Sequence, residues 1–339
     1  MPLYNMEASV ARAIDSVLSQ TVPDYELLIV NDGSSDRSPE IVEAYRADTR
    51  VRVIHQENSG VSVARNNGIA QARGEIIALL DADDQWGPDF LETIVRLLGR
   101  FPQCDVFATN YCFVAPSGRI SLPSIRGLPR GFHEGILDRY FEMASRGEAP
   151  LLPSASAFTR KSLLSIEGFP RGIKSGEDLV VYARLAVNYR IAYTVEAKCM
   201  YWLAISQADK PVRLPEAVDQ VGGILVGLAK SNPQVPGLRR YISAWYKTRA
   251  STFLRLGRAW PALADAARAI GKYPFNFVLY CYCAAACVVP IWPGAGRGMY
   301  RILGMLRRLR TGARVDGLEG GAMIRSPGKA VAAEAPNKP

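Results

Sequence analysis

Cysteine chemistry has little material in this 339-residue sequence. Its six cysteines, at positions 104, 112, 199, 281, 283 and 287, form no CxxC pair and have no histidines at zinc-ligand spacing. A zinc ribbon and a thioredoxin-type motif are therefore excluded, a reduced compartment is the simplest reading, and "CYCAAAC" reads as small buried hydrophobes. Only two histidines occur, His55 and His133. Neither has a partner at catalytic spacing, so both are read as structural. No GxGxxG follows the first predicted strands, which argues against a dinucleotide-dependent dehydrogenase. No basic patch leads into a continuous apolar run at the start, so no secretory signal is read and a cytoplasmic location is expected.

What is present is ordinary for a folded protein: 48% apolar and 22% charged residues, enough for one large domain and a smaller one. The formal charge of +9 suits an anionic partner, whether nucleotide, lipid headgroup or nucleic acid, and does not choose among them.

Residues 6–20 read as an amphipathic helix, with Val10, Ile14, Val17 and Leu18 on one face and Asn5 or Ser9 near its start. Strands "ELLIVND", "VRVIHQ" and "EIIALL" then alternate with helices "PEIVEAYRA" and "VARNNGIAQA". This βαβαβ rhythm predicts an α/β fold with a parallel sheet, covered by helices, that binds its ligand at the carboxyl ends of the strands. Asp32 and Asp81 fall at such ends. Farther on, the pattern predicts a helix near 90–100, extended segments at "DVFATNYCFVA" and "ASAFTR", and a helix over 177–188. Past residue 206 it turns helical. The expected division is a nucleotide-binding domain at 1–205, a helical region at 206–314, and a disordered tail at 315–339 rich in Gly, Ala, Pro and Lys.

The strongest local signal is "IIALLDADDQW", an apolar strand that runs into Asp81, Asp83 and Asp84. Three carboxylates crowded at a strand end repel one another unless a cation offsets them, and hard oxygen ligands suit Mg²⁺ or Mn²⁺. An isolated motif of this kind also suits a solvated acidic turn. Four stretches in order add to it: "PLYN", "VNDGSSD", "NSGVSVARNNGIAQARGEIIALLDADD" and "GEDLVVYARLA". Over residues 1–202 the sequence resembles the family 2 glycosyltransferases, inverting enzymes of the GT-A (Rossmann-like) fold that transfer a sugar from a nucleotide donor.

The resemblance implies roles residue by residue. Pro2 and Tyr4 match the end of the family's first strand, which holds the nucleotide base, and Asp32 matches the carboxylate that hydrogen-bonds it. An Asp there can accept the imide N–H that uracil and thymine offer, which suits a UDP- or dTDP-sugar; a turn-forming role in "NDGSSD" can coexist. Arg65 matches a position that approaches the base or diphosphate, and a guanidinium can pair bidentately with phosphate. Asn66, Asn67 and Gly68 are read as shaping the helix. Asp81 would hold the ribose and Asp83 the metal, with Asp84 either a further ligand or a residue that supports the ligands from behind. Asp178, with Glu177 beside it at the start of a helix, matches the catalytic base; acidic residues also favour helix N-termini without any catalytic role. The implied partners are a nucleotide-sugar donor and a glycan or lipid-linked acceptor, not nucleic acid, in cell-surface polysaccharide synthesis.

Two further expectations concern the ends. The uncharged run at 275–292, followed by Arg297, Arg301, Arg307, Arg308, Arg310 and Arg314, is too short and proline-interrupted for a full span; it suits either an interfacial helix against anionic lipid at the inner membrane face or a buried helix. Family members open with an apolar strand that runs into "PxYN", and only its last residues are present. Met1 is therefore expected to be an internal methionine of a longer chain, preceded by four to six mostly Val, Ile or Leu residues. The competing functions are an inactive truncated homologue kept as a binding module and a sugar nucleotidyltransferase. The latter needs a Gly-rich basic loop after the first strand, which "YNMEASVARAI" is not.

Overall fold

The computed structural model describes residues 1–203 and 214–288. Its first half is the expected alternation. Strands β1 (Pro2–Leu3), β2 (Leu27–Asp32) and β3 (Val51–Gln56) pair in parallel, in that order, and are connected through helices α1 (Val10–Leu18) and α2 (Ser38–Ala44). The strand β2 is buried along its whole length, as "LLIVND" requires of a strand covered on both faces. Helix α1 turns Val10, Ala13, Ile14 and Val17 inward. Helix α3 (Val61–Gln71) then returns the chain to β4 (Ile76–Ala78).

A second, mixed sheet follows. Beyond β4 come β5 (Gln85–Trp86), α4 (Phe90–Arg100), β6 (Val106–Val114), β7 (Ile120–Ser121), β8 (Glu134–Ile136) and α5 (Tyr140–Ala144). The last part of the domain is β9 (Ser156–Thr159), α6 (Arg160–Ser165), α7 (Glu177–Asn188) and β10 (Ile191–Trp202). The strands line up β4-β9-β6-β10-β5, with β7 on β6 and β8 on β10. Only β6 and β10 are parallel here, and their register slips between Thr194 and Cys199. The parallel reading thus holds for β1–β3, while the second sheet is mixed because β9 and β5 enter it antiparallel.

The two sheets do not join through β1. With two residues, β1 covers only the end of β2: the Met1 amine donates to the Leu28 carbonyl at 2.8 Å and Val30 N–H donates to Met1 O at 2.9 Å. Alongside Tyr25–Leu28 and residues 76–80 lies a cavity of about 610 Å³, walled by apolar side chains of α1, α3 and α4 such as Val17, Ile69 and Ile94.

Helices α8 (Gln220–Ser231), α9 (Leu238–Arg255), α10 (Ala259–Lys272) and α11 (Phe277–Val288) form the C-terminal region. Val221, Leu225, Leu238, Tyr241 and Ile242 join one hydrophobic cluster with Val180, Tyr182 and Phe158, so α8 and α9 build onto the first core. A smaller cluster of Phe253, Leu254, Ala262, Ala266 and Tyr282 holds α9–α11 together. Among the described residues no helix is long and apolar enough to cross a membrane. The arginines from 297 onward, the end of the apolar run and the 315–339 tail lie outside the described residues.

Candidate active site

The carboxyl ends of β2 and β4 and the start of α7 converge on one charged centre. Arg65, 4% exposed at its side chain, donates through Nη2 to Asp81 Oδ1 at 2.8 Å and through Nη1 to Glu177 Oε1 at 3.0 Å, over the Phe169 ring at 5.0 Å. Burial alone would lower its pKa, but Asp81 and Glu177 outweigh that and hold the guanidinium above its ordinary value. Arg65 therefore ties the loop that follows β4 to the start of α7.

Asn66 fixes the other side of this junction. Its amide bonds both the carbonyl and the N–H of Phe169, at 2.8 Å each. Gly168 lies in the left-handed region at φ +64, and a Cβ there would come 2.4 Å from Asn66 Oδ1. The packing role read for Asn66 is what the structure has.

The acidic cluster divides by environment. Asp81 is partly open and its backbone N–H donates to Ser154 Oγ at 3.0 Å. Asp84 is 1% exposed: Ser154 Oγ donates to its Oδ2 at 2.5 Å, and Oδ1 is buried with no partner among the described residues. Burial, with Asp81 and Asp83 adding to it, pushes Asp84 up to about 8, so at neutral pH it is mostly an uncharged acid. Asp84 braces the loop through Ser154, which is the supporting alternative of its two expected roles. Asp83 stands between the two, with its backbone carbonyl receiving Arg12 Nη2 at 2.7 Å, while Arg12 stacks 4.2 Å over Trp202.

Asp32 is also more committed than its motif suggests. Its Oδ1 accepts from Gln56 Nε2 at 2.7 Å and Ser59 N–H at 2.8 Å, and its Oδ2 accepts from Gly60 N–H at 2.8 Å. At 3% exposure it holds the loop that precedes α3, whereas within NDGSSD it is Asn31 Oδ1 that accepts the Ser34 N–H, at 3.1 Å; accepting a base N–H would require exchange of Asp32 with one of its donors. Pro2 sits in β1, and Tyr4 beside it is 48% exposed, open for a ring to stack on. His55 is structural: Nδ1 meets Asn31 Nδ2 at 3.0 Å and Nε2 meets Glu43 at 2.8 Å.

Asp178 is the acid with the most unusual surroundings. It lies in the first turn of α7, after Gly176 at φ +88, and its Oδ1 accepts the Leu179 N–H at 2.8 Å. Burial and the neighbouring Glu177 charge raise its pKa to about 6; the Leu179 amide and Arg65 oppose them. A carboxylate poised near neutrality, beside a residue already tied to Arg65, is the arrangement that general-base chemistry needs. Ser154, Arg12 and Trp202 were not legible as site residues, because no spacing marks a serine that contacts an aspartate 70 positions away.

This is the nucleotide-sugar-binding α/β fold of GT-A glycosyltransferases, with helices appended. Residues 1–163 match the model of the family described as glycosyl transferase family 2. The putative glycosyltransferase EpsH of Bacillus subtilis is 44% identical over 110 residues, 32% of this chain and 31% of that protein. The putative teichuronic acid biosynthesis glycosyltransferase TuaG of the same species is 36% identical over 119 residues, 34% of this chain and 47% of TuaG. The chain thus spans less than half the length of these curated relatives. Among solved structures, residues 1–349 of S. aureus TarS in complex with UDP-GlcNAc superpose with a TM-score of 0.62, covering 93% of this chain and 91% of that one at 18% identity.

Proposed function

We propose that this chain is an inverting glycosyltransferase that moves a sugar from a UDP- or dTDP-linked donor to a glycan or lipid-linked acceptor, in synthesis of a cell-surface polysaccharide. The observation that carries the reading is the place of Asp178, partly buried in the first turn of α7, beside the Asp81–Arg65–Glu177 bridge. That bridge sets the base at a fixed place relative to the strand end where a donor would lie. In the transfer, the acceptor hydroxyl oxygen bonds to the anomeric carbon as the bond to the nucleoside diphosphate breaks. Asp178 takes the hydroxyl proton, Asp81 receives the ribose, and Tyr4 stacks on the base. The glycosyltransferase relatives and the UDP-GlcNAc complex of TarS support this class of donor. A panel of nucleotide-sugars with and without Mn²⁺, scored for nucleoside diphosphate release, tests it; no release with any donor rejects it.

Metal dependence belongs to the same proposal. Among the described residues no three His, Cys, Asp or Glu side chains are grouped so as to hold an ion, and Asp84 is buried. The fit is therefore partial: Asp83, a hard oxygen donor on a partly open loop, would hold Mg²⁺ or Mn²⁺ jointly with the donor's diphosphate. The ion, when bound, neutralises charge that builds on the leaving diphosphate. Asp83→Ala is expected to abolish the Mn²⁺-dependent part of UDP or dTDP binding, measured by titration calorimetry, with an unchanged circular dichroism spectrum. Metal-dependent affinity equal to that of the unaltered chain would remove Asp83 from this role.

The acceptor side faces a membrane in this reading. Phe275, Phe277 and Tyr280 are 83%, 72% and 46% exposed at the start of α11, while Leu279, Tyr282, Ala285 and Ala286 pack inward. An exposed aromatic group beside a basic segment suits peripheral contact with anionic lipid. The double variant Phe275→Ser, Phe277→Ser is expected to pellet less with phosphatidylglycerol vesicles than the unaltered chain. Equal sedimentation would place the contact elsewhere.

A further inference from the structure

Helix α9 reaches from the helical region to the first turn of α7, and it meets that turn at two points. The Trp245 ring stands against Gly176, where an added Cβ would fall 2.9 Å from Cη2 and Cζ3, so the residue that starts α7 is glycine by contact as well as by its φ of +88. Trp245 is itself aimed by Nε1–H, which donates to Asp219 Oδ1 at 3.0 Å, and Asp219 caps α8 by accepting the Gly222 N–H. One turn earlier on α9, Tyr241 Oη donates to the Leu179 carbonyl at 3.2 Å. Leu179 is the residue whose N–H holds the Asp178 carboxylate. Two contacts, one on each side of Asp178 in sequence, thus come from a single helix outside the stretch that matches the family 2 model.

The same helix packs around the start of α7 and narrows access to the carboxylate. Tyr241 packs against Phe141 at 5.4 Å and Tyr140 at 6.1 Å between ring centroids, closing α5 over the start of α7. At the other end of this contact, Gly237 at φ +79 brings the start of α9 against Glu142 and Phe141, leaving no room for a side chain. The Tyr182 hydroxyl is buried with no hydrogen-bond partner among the described residues, Tyr140 interacts with Tyr241 through its hydroxyl, and both Tyr140 and Tyr182 interact electrostatically with Asp178. An unsatisfied buried hydroxyl costs free energy in a core that serves packing alone. Both rings stand near Asp178, and Tyr182 stands near Arg65 as well.

We propose that Tyr241 and Trp245 are positioning residues for Asp178, forming a clamp by which the helical region fixes the carboxylate in the first turn of α7 and shields it from water. The proposal rests on the reading of Asp178 as the base. The titratable and charged groups that interact with Asp178 are Glu177, Arg65, Asp81, Tyr140, Tyr182, Tyr201 and Tyr241. Since burial is the largest cause of the raised Asp178 value, loosening the clamp should admit water and bring it down toward the ordinary carboxylate range.

Tyr241→Phe keeps the ring and removes only the bond to Leu179, whereas Trp245→Ala opens the start of α7 and Trp245→Phe restores an aromatic wall. The carboxyl carbon of Asp178, assigned in ¹³C-labelled protein by its loss in Asp178→Asn, is titrated by NMR in each full-length variant. In parallel, kcat, donor KM and the acid limb of the pH–rate profile are measured. Tyr241→Phe and Trp245→Ala are expected to lower kcat, by up to about 10²-fold for a displaced base, with donor KM unchanged. The Asp178 titration should move to lower pH in both, and Trp245→Phe should return it toward the starting value. Should Trp245→Ala not fold, Tyr241→Phe and Trp245→Phe carry the test. An Asp178 titration and acid limb unmoved in Tyr241→Phe, with only Tm lowered, would reduce α9 to packing and overturn the clamp. If Asp178→Asn leaves turnover intact, the assignment of the base fails, and the NMR titration still decides whether α9 governs this carboxylate.

Discussion

Asp178→Asn is expected to lower turnover by ~10²–10⁴-fold, the usual contribution of a positioned general base, while donor affinity stays close to that of the unaltered chain. Asparagine keeps the size of the side chain and can still accept the Leu179 N–H, so the first turn of α7 should hold. What it cannot do is take a proton from an acceptor hydroxyl. The unaltered enzyme should lose activity as pH falls through about 6, where burial and Glu177 place the Asp178 carboxyl, because only the ionised form is a base. In the variant that limb should vanish. Glu177 is the first candidate to replace it if activity persists, although its carboxylate is already paired with Arg65 at 3.0 Å.

A stability measurement gives an independent reading of the same group. The folded Asp178 value lies above the ordinary aspartate value of 3.8, so between those two values the folded chain binds the extra proton and stability falls as pH rises. Above about 6 the full cost of a buried carboxylate is present. Asp178→Asn removes it, so thermal unfolding at pH 7.5 should occur at a higher temperature in the variant, with the difference closing toward pH 4. A variant that is more stable and far less active is what a strained functional site predicts. Equal melting temperatures at pH 7.5 would argue that water reaches Asp178.

The elements legible from the sequence are those whose signals are local. The strand "VRVIHQ" alternates, α7 follows a glycine and opens on two acids, and α10 carries an apolar face; each appears over the span its pattern marks. The twelve-residue β10 was not legible. Its "IAYTVEAKCMYW" mixes charged with apolar residues because it pairs with β6, β8 and β5 along different stretches and slips register between them. The site divides in the same way. Acids at strand ends and at a helix start stand out in sequence, but what each does depends on partners that only the fold supplies. Arg65 meets Asp81 from 16 positions away and Glu177 from 112, and Asp84 is neutralised by burial that no neighbour in sequence announces. Tyr241 and Trp245 lay in a stretch legible only as helix.

An extension of the chain ahead of Met1 by five β-branched residues, for example Ile-Val-Val-Ile-Val, is expected to raise Tm by on the order of 10 °C, several kcal/mol in a protein of this size. The argument begins at β1. Its two residues run parallel to β2 with Pro2 opposite Val30, so residues placed before Met1 would continue beside Leu28 and Leu27 and face β4 on their other side. The cavity of about 610 Å³ lies along that path. Extended chain rises about 3.3 Å per residue and, between two strands, satisfies backbone groups on both. Buried β-branched side chains add ~1.5–3 kcal/mol each against an ordering cost of ~1–2 kcal/mol per residue. The extension also replaces a buried amine. In the 339-residue chain the Met1 amine is lowered to about 5 by burial. Between about 5 and its ordinary 8 the unfolded chain therefore holds a proton that the folded chain lacks, and stability rises with pH across that window. An amide in place of the amine should flatten this dependence. Anchoring β1 at both edges should also steady Tyr4 and tighten UDP binding. A Gly-Ser extension of equal length is the control, since it removes the amine without filling the cavity and should flatten the pH dependence with little gain in Tm. If the apolar extension raises Tm no more than the control, then α1, α3 and α4 already close the space, and the gap between the two sheets is a packed feature of this fold.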